Sequence, residues 1–560
     1  MVGYGLTVFE GTKPERFAIR VVGVLHNFMP KQALILIRSD DPRLIHSGIV
    51  QGMSGSPIYL DGPGGDRLAG ALSYGWQFAK DPIAGVTPIE NMLAELRRPR
   101  RGRDHTPSSE AANEPPAPPH LADRGNGVGA LVPAAVPLAA SGFSARALAE
   151  LGQALEPYLP GAQLLPMATG GAPAPGHAKL DHFEPGSALS VQLARGPDIN
   201  LVGTGTVTYV EGKELVAFGH PMFNLGEVYL PIATAEVHTF MSALSTSFKF
   251  ASPLDEVGTL IQDRQSGIVG TLAERAEMVP IEVHLHLEGK SDRDFQVEVV
   301  RHRFLTPLLA SVVIANSAQS AASDVADATI TLRTRLSVRG FSSLELTDHA
   351  FATDGLSAKV FGMANGIRAI GELLFNPFAP VHLDHIAVDV TIDYQPHLAE
   401  VTDLSLRSEE LEPGTRPSLR VTLRPYNGSE YSLSVPIEIP KVLAGQPLKI
   451  EVAAGNLVKP DLAAPENLAG LVANLRQGYS ARSLVVTLET PDEDLTLRGH
   501  VMSALPASVA DTLRPSALAR HGEPFKRTTR IVVPLAVVAV GKQSLQARVK
   551  ELSPASGELR

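Results

Sequence analysis

Cysteine is absent from the 560 residues. That excludes a disulfide framework, a thiolate metal site and a cysteine nucleophile. Aromatic residues are scarce, at 5%, and Trp76 is the sole tryptophan. Positive charge is in deficit: 49 Lys and Arg face 59 Asp and Glu, a net charge of −10, which argues against a general nucleic-acid binder. No apolar run approaches the ~20 residues needed to span a bilayer. The longest, "IVVPLAVVAVG" at 531–541, has the length of a buried strand and carries Pro534. No basic and apolar leader opens the chain. A strand-like pattern, "VGYGLTVFEG", follows Met1 at once, so the chain is expected to continue a longer precursor.

What is present is an ordinary globular composition, 44% hydrophobic, over a length that predicts several domains. Residues 1–96 read as β, from runs such as "ERFAIRVVGVL" and "QALILIR" punctuated by Gly and Pro. They close with a short helix in "TPIENMLAEL", with Thr87 as the expected cap. Residues 97–126 are charged and then Pro/Ala-rich, the composition of a disordered linker. Residues 127–345 resume with a helix capped by Ser144, then short strands, then a helical stretch from Thr306-Pro307. Residues 346–384 predict a helical connector. From 385 to 560 alternating strands, with Asn427-Gly428 as a hairpin turn, predict a β-sandwich-like domain with an inserted helix. The fold class expected is therefore mainly β.

One stretch carries chemistry. "GIVQGMSGSPIYLDG", residues 48–62, sets Ser54 in a glycine-hinged turn between two apolar runs. A serine hydroxyl needs a base within reach to act as nucleophile, and backbone N–H groups aimed at the developing oxyanion. Glycines reach backbone angles that a Cβ forbids, so Gly52 and Gly55 could direct the amides of Gly52 and Ser54 into one pocket. The following run "RLAGALSYG" could pair with an extended peptide. On pattern alone, a small-residue turn between strands is the commoner reading, because the stretch is not the G-x-S-x-G elbow. Among the histidines, His220 in "FGHPMFN" stands at a strand end, where functional side chains collect, although a turn histidine bonded to backbone has the same signature. His284 and His286 alternate with apolar residues and face outward. Asp263 and Arg264 in "QDR" read as an ion pair. "GTGTVT" at 203–208 has no helix after it, which argues against a nucleotide site.

Taken together, "DPRLIHSGIVQGMSGSPIYLDG", "LAGALSYGWQFAKDPIAGVTPIENML" and "GTGTVTYVEGKELVAFGHP" resemble the SpoIVB-type serine peptidase family over most of residues 1–96 and about 200–272. The resemblance implies a nucleophile at Ser54, a base at His220, an acidic member at Asp41 and an oxyanion hole from the amides of Gly52 and Ser54. It implies no metal and no cofactor. It also implies a chymotrypsin-like pair of β-barrels with the site between them. The order here, Asp41, Ser54, His220, permutes the family's His-Asp-Ser order, and triads are defined by geometry rather than by chain order. No PDZ domain is visible in the sequence. The function implied is a serine endopeptidase acting on protein or peptide substrates, in a bacterial cell-envelope or exported setting. A degenerate protease-fold scaffold that binds an envelope partner is the alternative, and self-cleavage in the 97–126 linker is a third reading.

Overall fold

The computed structural model describes the chain except at residues 30–31, 77, 101, 103–130, 134–135, 158–163, 167–179, 288, 290, 323–326, 354, 498–499, 503–504, 514–522 and 552–560. Among the first ninety residues, β1 (Val2–Thr7), β2 (Glu15–Met29) and β3 (Gln32–Ser39) are followed by a short helix α1 (Pro42–Ser47). Then come β4 (Val50–Gln51), β5 (Pro57–Leu60), β6 (Arg67–Trp76), β7 (Ile83–Pro88) and helix α2 (Ile89–Leu96). The pairing runs β5-β1-β2-β3-β7-β6 and closes through β5–β6. Closure removes the exposed edges that an open sheet of this size would leave. The barrel is filled by Phe17, Ile19, Ile37, Ile58, Leu72 and Val86. Each such side chain contributes roughly 1.5–3 kcal/mol on burial.

A three-residue strand, β8 (Leu131–Pro133), lies antiparallel on Tyr74–Trp76 of β6. The strand edge that the sequence offered to an extended peptide is thus paired, over these three residues, with the protein's own chain.

The second unit is a larger curled sheet. Strands β9 (Leu138–Ser141) and β10 (Leu164–Pro166) lead into β11 (Ala188–Arg195), β12 (Asn200–Glu211) and β13 (Glu214–Ala217). They continue with β14 (Gly226–Met241), β15 (Ser247–Arg264) and β16 (Gly267–Thr271). Pairings β12-β13-β16-β15-β14-β11 return to β12, so six strands again make a closed ring. From this ring the sheet extends through β17 (Met278–Leu287), β18 (Arg293–Val300), β19 (Ala328–Val338), β20 (Leu344–Ala352) and β21 (Leu383–Asp393).

Two helices show how the sequence sets this layer. Helix α3 (Ala145–Leu155) starts at Ser144, whose hydroxyl accepts the Ala147 N–H, and it buries Ala147, Leu151 and Leu155 at helical spacing. Helix α4 (Leu305–Ala321) is apolar on all sides and buried along most of its length, the pattern of a core helix. Two short helices, Ala358–Gly362 and Asn365–Leu374, follow β20. Because β21 runs parallel to β17, it shares the large core. The separate core of the tail begins at Ala399 and lies between a four-stranded and a six-stranded sheet, a sandwich-like arrangement.

Two local expectations change. Thr87 does not cap α2: the cap is Pro88, without a side-chain bond, and the Thr87 hydroxyl instead donates to the Gly219 carbonyl at 2.7 Å. The linker at 97–126 lies outside the described residues apart from 97–100 and 102, and its start is anchored where Arg100 pairs with Glu214 and Glu274 of the second ring.

Candidate active site

The turn holding Ser54 is clamped between the two rings. Before it, Val50 and Gln51 leave the first barrel and pair in parallel with Ser247 and Phe248 of β15. Within it, Gly52 (φ 92°) and Gly55 (φ 96°) adopt left-handed angles, which glycine reaches at little cost. Val50 and Met53 are buried in the first barrel's core and hold the turn from that side. From the other side, β12 takes up its carbonyls. Thr206 N–H donates to Ser54 O at 2.8 Å, the Thr206 hydroxyl to Gly52 O at 3.0 Å, and the Thr208 hydroxyl to Gly55 O at 2.7 Å.

The N–H groups of Met53, Gly55 and Ser56 donate to Val50, Leu72 and Met53 carbonyls. Among the described residues, the turn and loop hydrogen bonds do not use the N–H groups of Gly52 and Ser54. Ser54 itself is fully buried, and its Oγ meets no hydrogen-bond partner among the described residues.

His220 follows β13 through Phe218 (φ 69°) and Gly219 (φ 71°). A buried aromatic residue at positive φ is an outlier of the kind that collects at functional sites. The turn is pressed onto the first barrel. A Cβ on Gly219 would lie 2.1 Å from Ser73 Oγ, and Thr87 holds its carbonyl. The Ser54 and His220 turns also meet directly, since a Cβ on Gly55 would lie 2.5 Å from the backbone N of Phe218. The imidazole is 1% exposed, and its ring centre lies 6.4 Å from that of Tyr74. Its Nδ1 is 2.8 Å from the Pro221 carbonyl oxygen. A carbonyl can only accept, so Nδ1 carries the proton, and in the neutral imidazole Nε2 is then the basic nitrogen. Because Ser54 Oγ has no partner, the nucleophile–base hydrogen bond is not formed in this structure. Such contacts are often long until substrate is seated.

Asp41 stands apart from this pair in its bonding. It caps α1 through the Arg43 N–H, and Arg43 Nε and Nη2 bind its Oδ1 and Oδ2 at 3.1 and 3.0 Å. Burial alone would raise its carboxyl, but the Arg43 hydrogen bonds outweigh it and hold the group below the usual range. Arg43 also reaches Glu15 and stacks over Phe9 at 3.6 Å. Asp41 therefore anchors the helix that enters the Ser54 segment.

Comparison with protein families bears on this segment alone. Residues 4–93 match the SpoIVB peptidase S55 family. Asp41 and Ser54 lie inside the match and His220 lies outside it. Comparison with curated proteins and with solved structures finds no match.

Two buried ionisable groups of the second ring hold the turns that carry Ser54 and His220. Asp263 forms no ion pair with Arg264, which donates to Gln262. Its oxygens accept the N–H groups of Met222, Phe223 and Leu225 at 2.7, 2.7 and 3.3 Å. It thereby fixes the loop that leaves His220. Burial pushes its carboxyl up to about 6, against the pull of those N–H groups. The residue missed from the sequence as a loop organiser was legible only as one charged position beside glycines.

Lys249 is the other. Its side chain lies 3.2–3.3 Å from where a Gly52 Cβ would sit, and its Nζ donates to Thr7 Oγ1 at 2.7 Å. Burial pushes its ammonium down to about 7 from 10.5. The unfolded chain therefore holds one more proton between about pH 7 and 10.5, so this lysine makes stability rise with pH across that window. Lys249→Met removes the cost of discharging it, about 4 kcal/mol at pH 7, less about 1 kcal/mol for the lost hydrogen bond. Denaturation followed by Trp76 fluorescence should show a gain on the order of 3 kcal/mol at pH 7 that shrinks towards pH 10. An equal gain at both pH values would show that Lys249 is charged in the folded protein.

Proposed function

We propose that the protein is a serine endopeptidase of the SpoIVB type acting on protein substrates. The observation that carries this is the meeting of the Ser54 and His220 turns, backbone against backbone, where the two closed rings join. In the proposed cycle Ser54 Oγ attacks the scissile carbonyl while His220 Nε2 takes its proton. The resulting oxyanion is held by the amides of Gly52 and Ser54. The C–N bond then breaks, and the imidazolium returns its proton to the leaving amine. Water, deprotonated by the same nitrogen, hydrolyses the acyl-enzyme and restores the Ser54 hydroxyl. The Pro221 carbonyl holds the imidazole tautomer, and Asp41 acts as a positioning residue through Arg43 and α1. The residues need no metal or cofactor for this chemistry. The two closed six-stranded rings are the feature of the fold that supports this reading.

A simple alkyl fluorophosphonate tests the reading. It should label the wild-type protein at Ser54 and leave Ser54→Ala unlabelled, both proteins giving the same Trp76 melting curve. A folded wild type that stays unlabelled would favour a degenerate scaffold, the reading that the unpartnered Ser54 hydroxyl and the Arg43-bound Asp41 speak for.

A further inference from the structure

A cavity opens beside the Ser54 turn, and its walls come from the two segments that frame that turn. One wall is the run just upstream of Ser54, including Ile49 and Gln51. The other is β6 at Gly75, with Ile83 and the β14–β15 loop at Leu244 and Thr246 completing the lining. The same β6 receives the Gly55 N–H at its Leu72 carbonyl. The β14–β15 loop is tied across the rings by Phe78 N–H to Ser245 O and by the Ser247 hydroxyl to Ser47 O. Both rings therefore build the cavity. Gly75 supplies no side chain, and a Cβ there would sit 3.7 Å from Ile49, in ordinary contact across the space.

Among the described residues, no charged residue lines the cavity. Of its polar side chains, which also include Ser47, Trp76, Ser245 and Ser247, two present buried atoms with no hydrogen-bond partner among the described residues, Gln51 Oε1 and Thr246 Oγ1, and Gln51 is 5% exposed overall. A buried acceptor left unpaired is costly, and an uncompensated charge brought beside it would be costlier still.

The geometry points to a substrate side-chain pocket that takes an uncharged hydrogen-bond donor, of the serine, threonine, asparagine or glutamine class, at the residue contributing the scissile carbonyl. This rests on the peptidase reading above. Gln51 Oε1 accepts from the entering O–H or N–H, and the Thr246 hydroxyl accepts or donates a second bond. Ile49 and Ile83 line the aliphatic part, with the exposed Leu244 at the rim. Lysine, arginine, aspartate and glutamate are rejected because nothing in the lining can neutralise them.

The test uses the full chain and a panel of peptidyl phosphonate esters that differ only in the side chain next to the phosphorus: glutamine, serine, leucine, lysine and glutamate types. Phosphonylation of Ser54 is followed by intact mass. The glutamine and serine types should react at least roughly tenfold faster than the lysine and glutamate types, the discrimination expected of a site built to hydrogen-bond its ligand. Gln51→Leu should erase the advantage of the glutamine type over the leucine type, and Thr246→Val should reduce it, with Trp76 melting showing that each variant folds. Labelling by a simple fluorophosphonate together with a flat or charge-preferring panel would overturn the pocket and leave the peptidase reading intact. So would an unchanged preference in both folded variants. Failure of every phosphonate and of the simple fluorophosphonate would overturn both.

Discussion

His220→Ala is expected to slow peptide cleavage by about 10⁴-fold or more while leaving the Trp76 melting temperature within a few degrees of wild type. The rate loss follows from the site's chemistry. Ser54 Oγ is buried and has no hydrogen-bond partner among the described residues, so nothing else in the turn can take its proton. The retained stability follows from where the turn is held. The Gly219 carbonyl is bound by Thr87, and the loop beyond His220 by Asp263; neither uses the imidazole. Because serine and histidine act as one unit, Ser54→Ala with His220→Ala should lose little more than either alone. Asp41→Asn should behave differently. It leaves an oxygen that can still cap α1 but removes one side of the ion pair with Arg43, and should cost at most about 1 kcal/mol of stability with a rate loss far below that of His220→Ala. Stopped assays on purified, folded variants decide the matter. An Asp41→Asn loss as large as that of His220→Ala would assign the aspartate to the imidazole after all.

The sequence carried the local part of this structure and little of its closure. "QALILIR" is β3, Ser144 caps α3, and Thr306-Pro307 lies in the first turn of the core helix α4, because capping and strand patterning are decided within a few residues. The Ser54 turn was visible in its glycines, which the backbone uses at φ above 90°. His220 was visible only as a strand-end residue, and the structure gives it the backbone bond of a turn histidine through Nδ1.

The rest depends on residues far apart in the chain. Thr87 was read as a cap by its neighbours, but Gly219, 132 positions away, claims its hydroxyl. Asp263 was read with adjacent Arg264, but the loop some 40 positions earlier offers it three backbone N–H donors. Gln51 and Thr246 share a cavity only because β4 leaves its own barrel to pair with β15. No pattern in "GIVQGMS" alone contains that information.

Gly55→Ala is expected to have the largest effect on the fold. Its φ of 96° costs an alanine about 1–2 kcal/mol by backbone strain alone. The larger cost is collision. The new Cβ would lie 1.9 Å from the Thr206 carbonyl oxygen and 2.5 Å from the Phe218 N, and both are backbone atoms that no rotamer change can move. To relieve the clash the turn must leave β12. That breaks the Thr206 N–H bond to Ser54 O and the Thr208 hydroxyl bond to Gly55 O, and separates the Ser54 turn from the His220 turn. The total should exceed about 4 kcal/mol, a size reserved for defects of this kind. Fluorophosphonate labelling should be lost with it, even at temperatures where Trp76 still reports a folded first barrel. Gly48→Ala is the matched control. Gly48 is also at positive φ, 70° with ψ −165°, a region essentially reserved for glycine, but a Cβ there meets nothing within 4 Å. It should therefore show the strain without the collision, about 1–3 kcal/mol, and keep its labelling. Equal melting shifts for Gly55→Ala and Gly48→Ala would mean that the two rings are not locked together at the Ser54 turn, and the proposed active site would lose its physical basis.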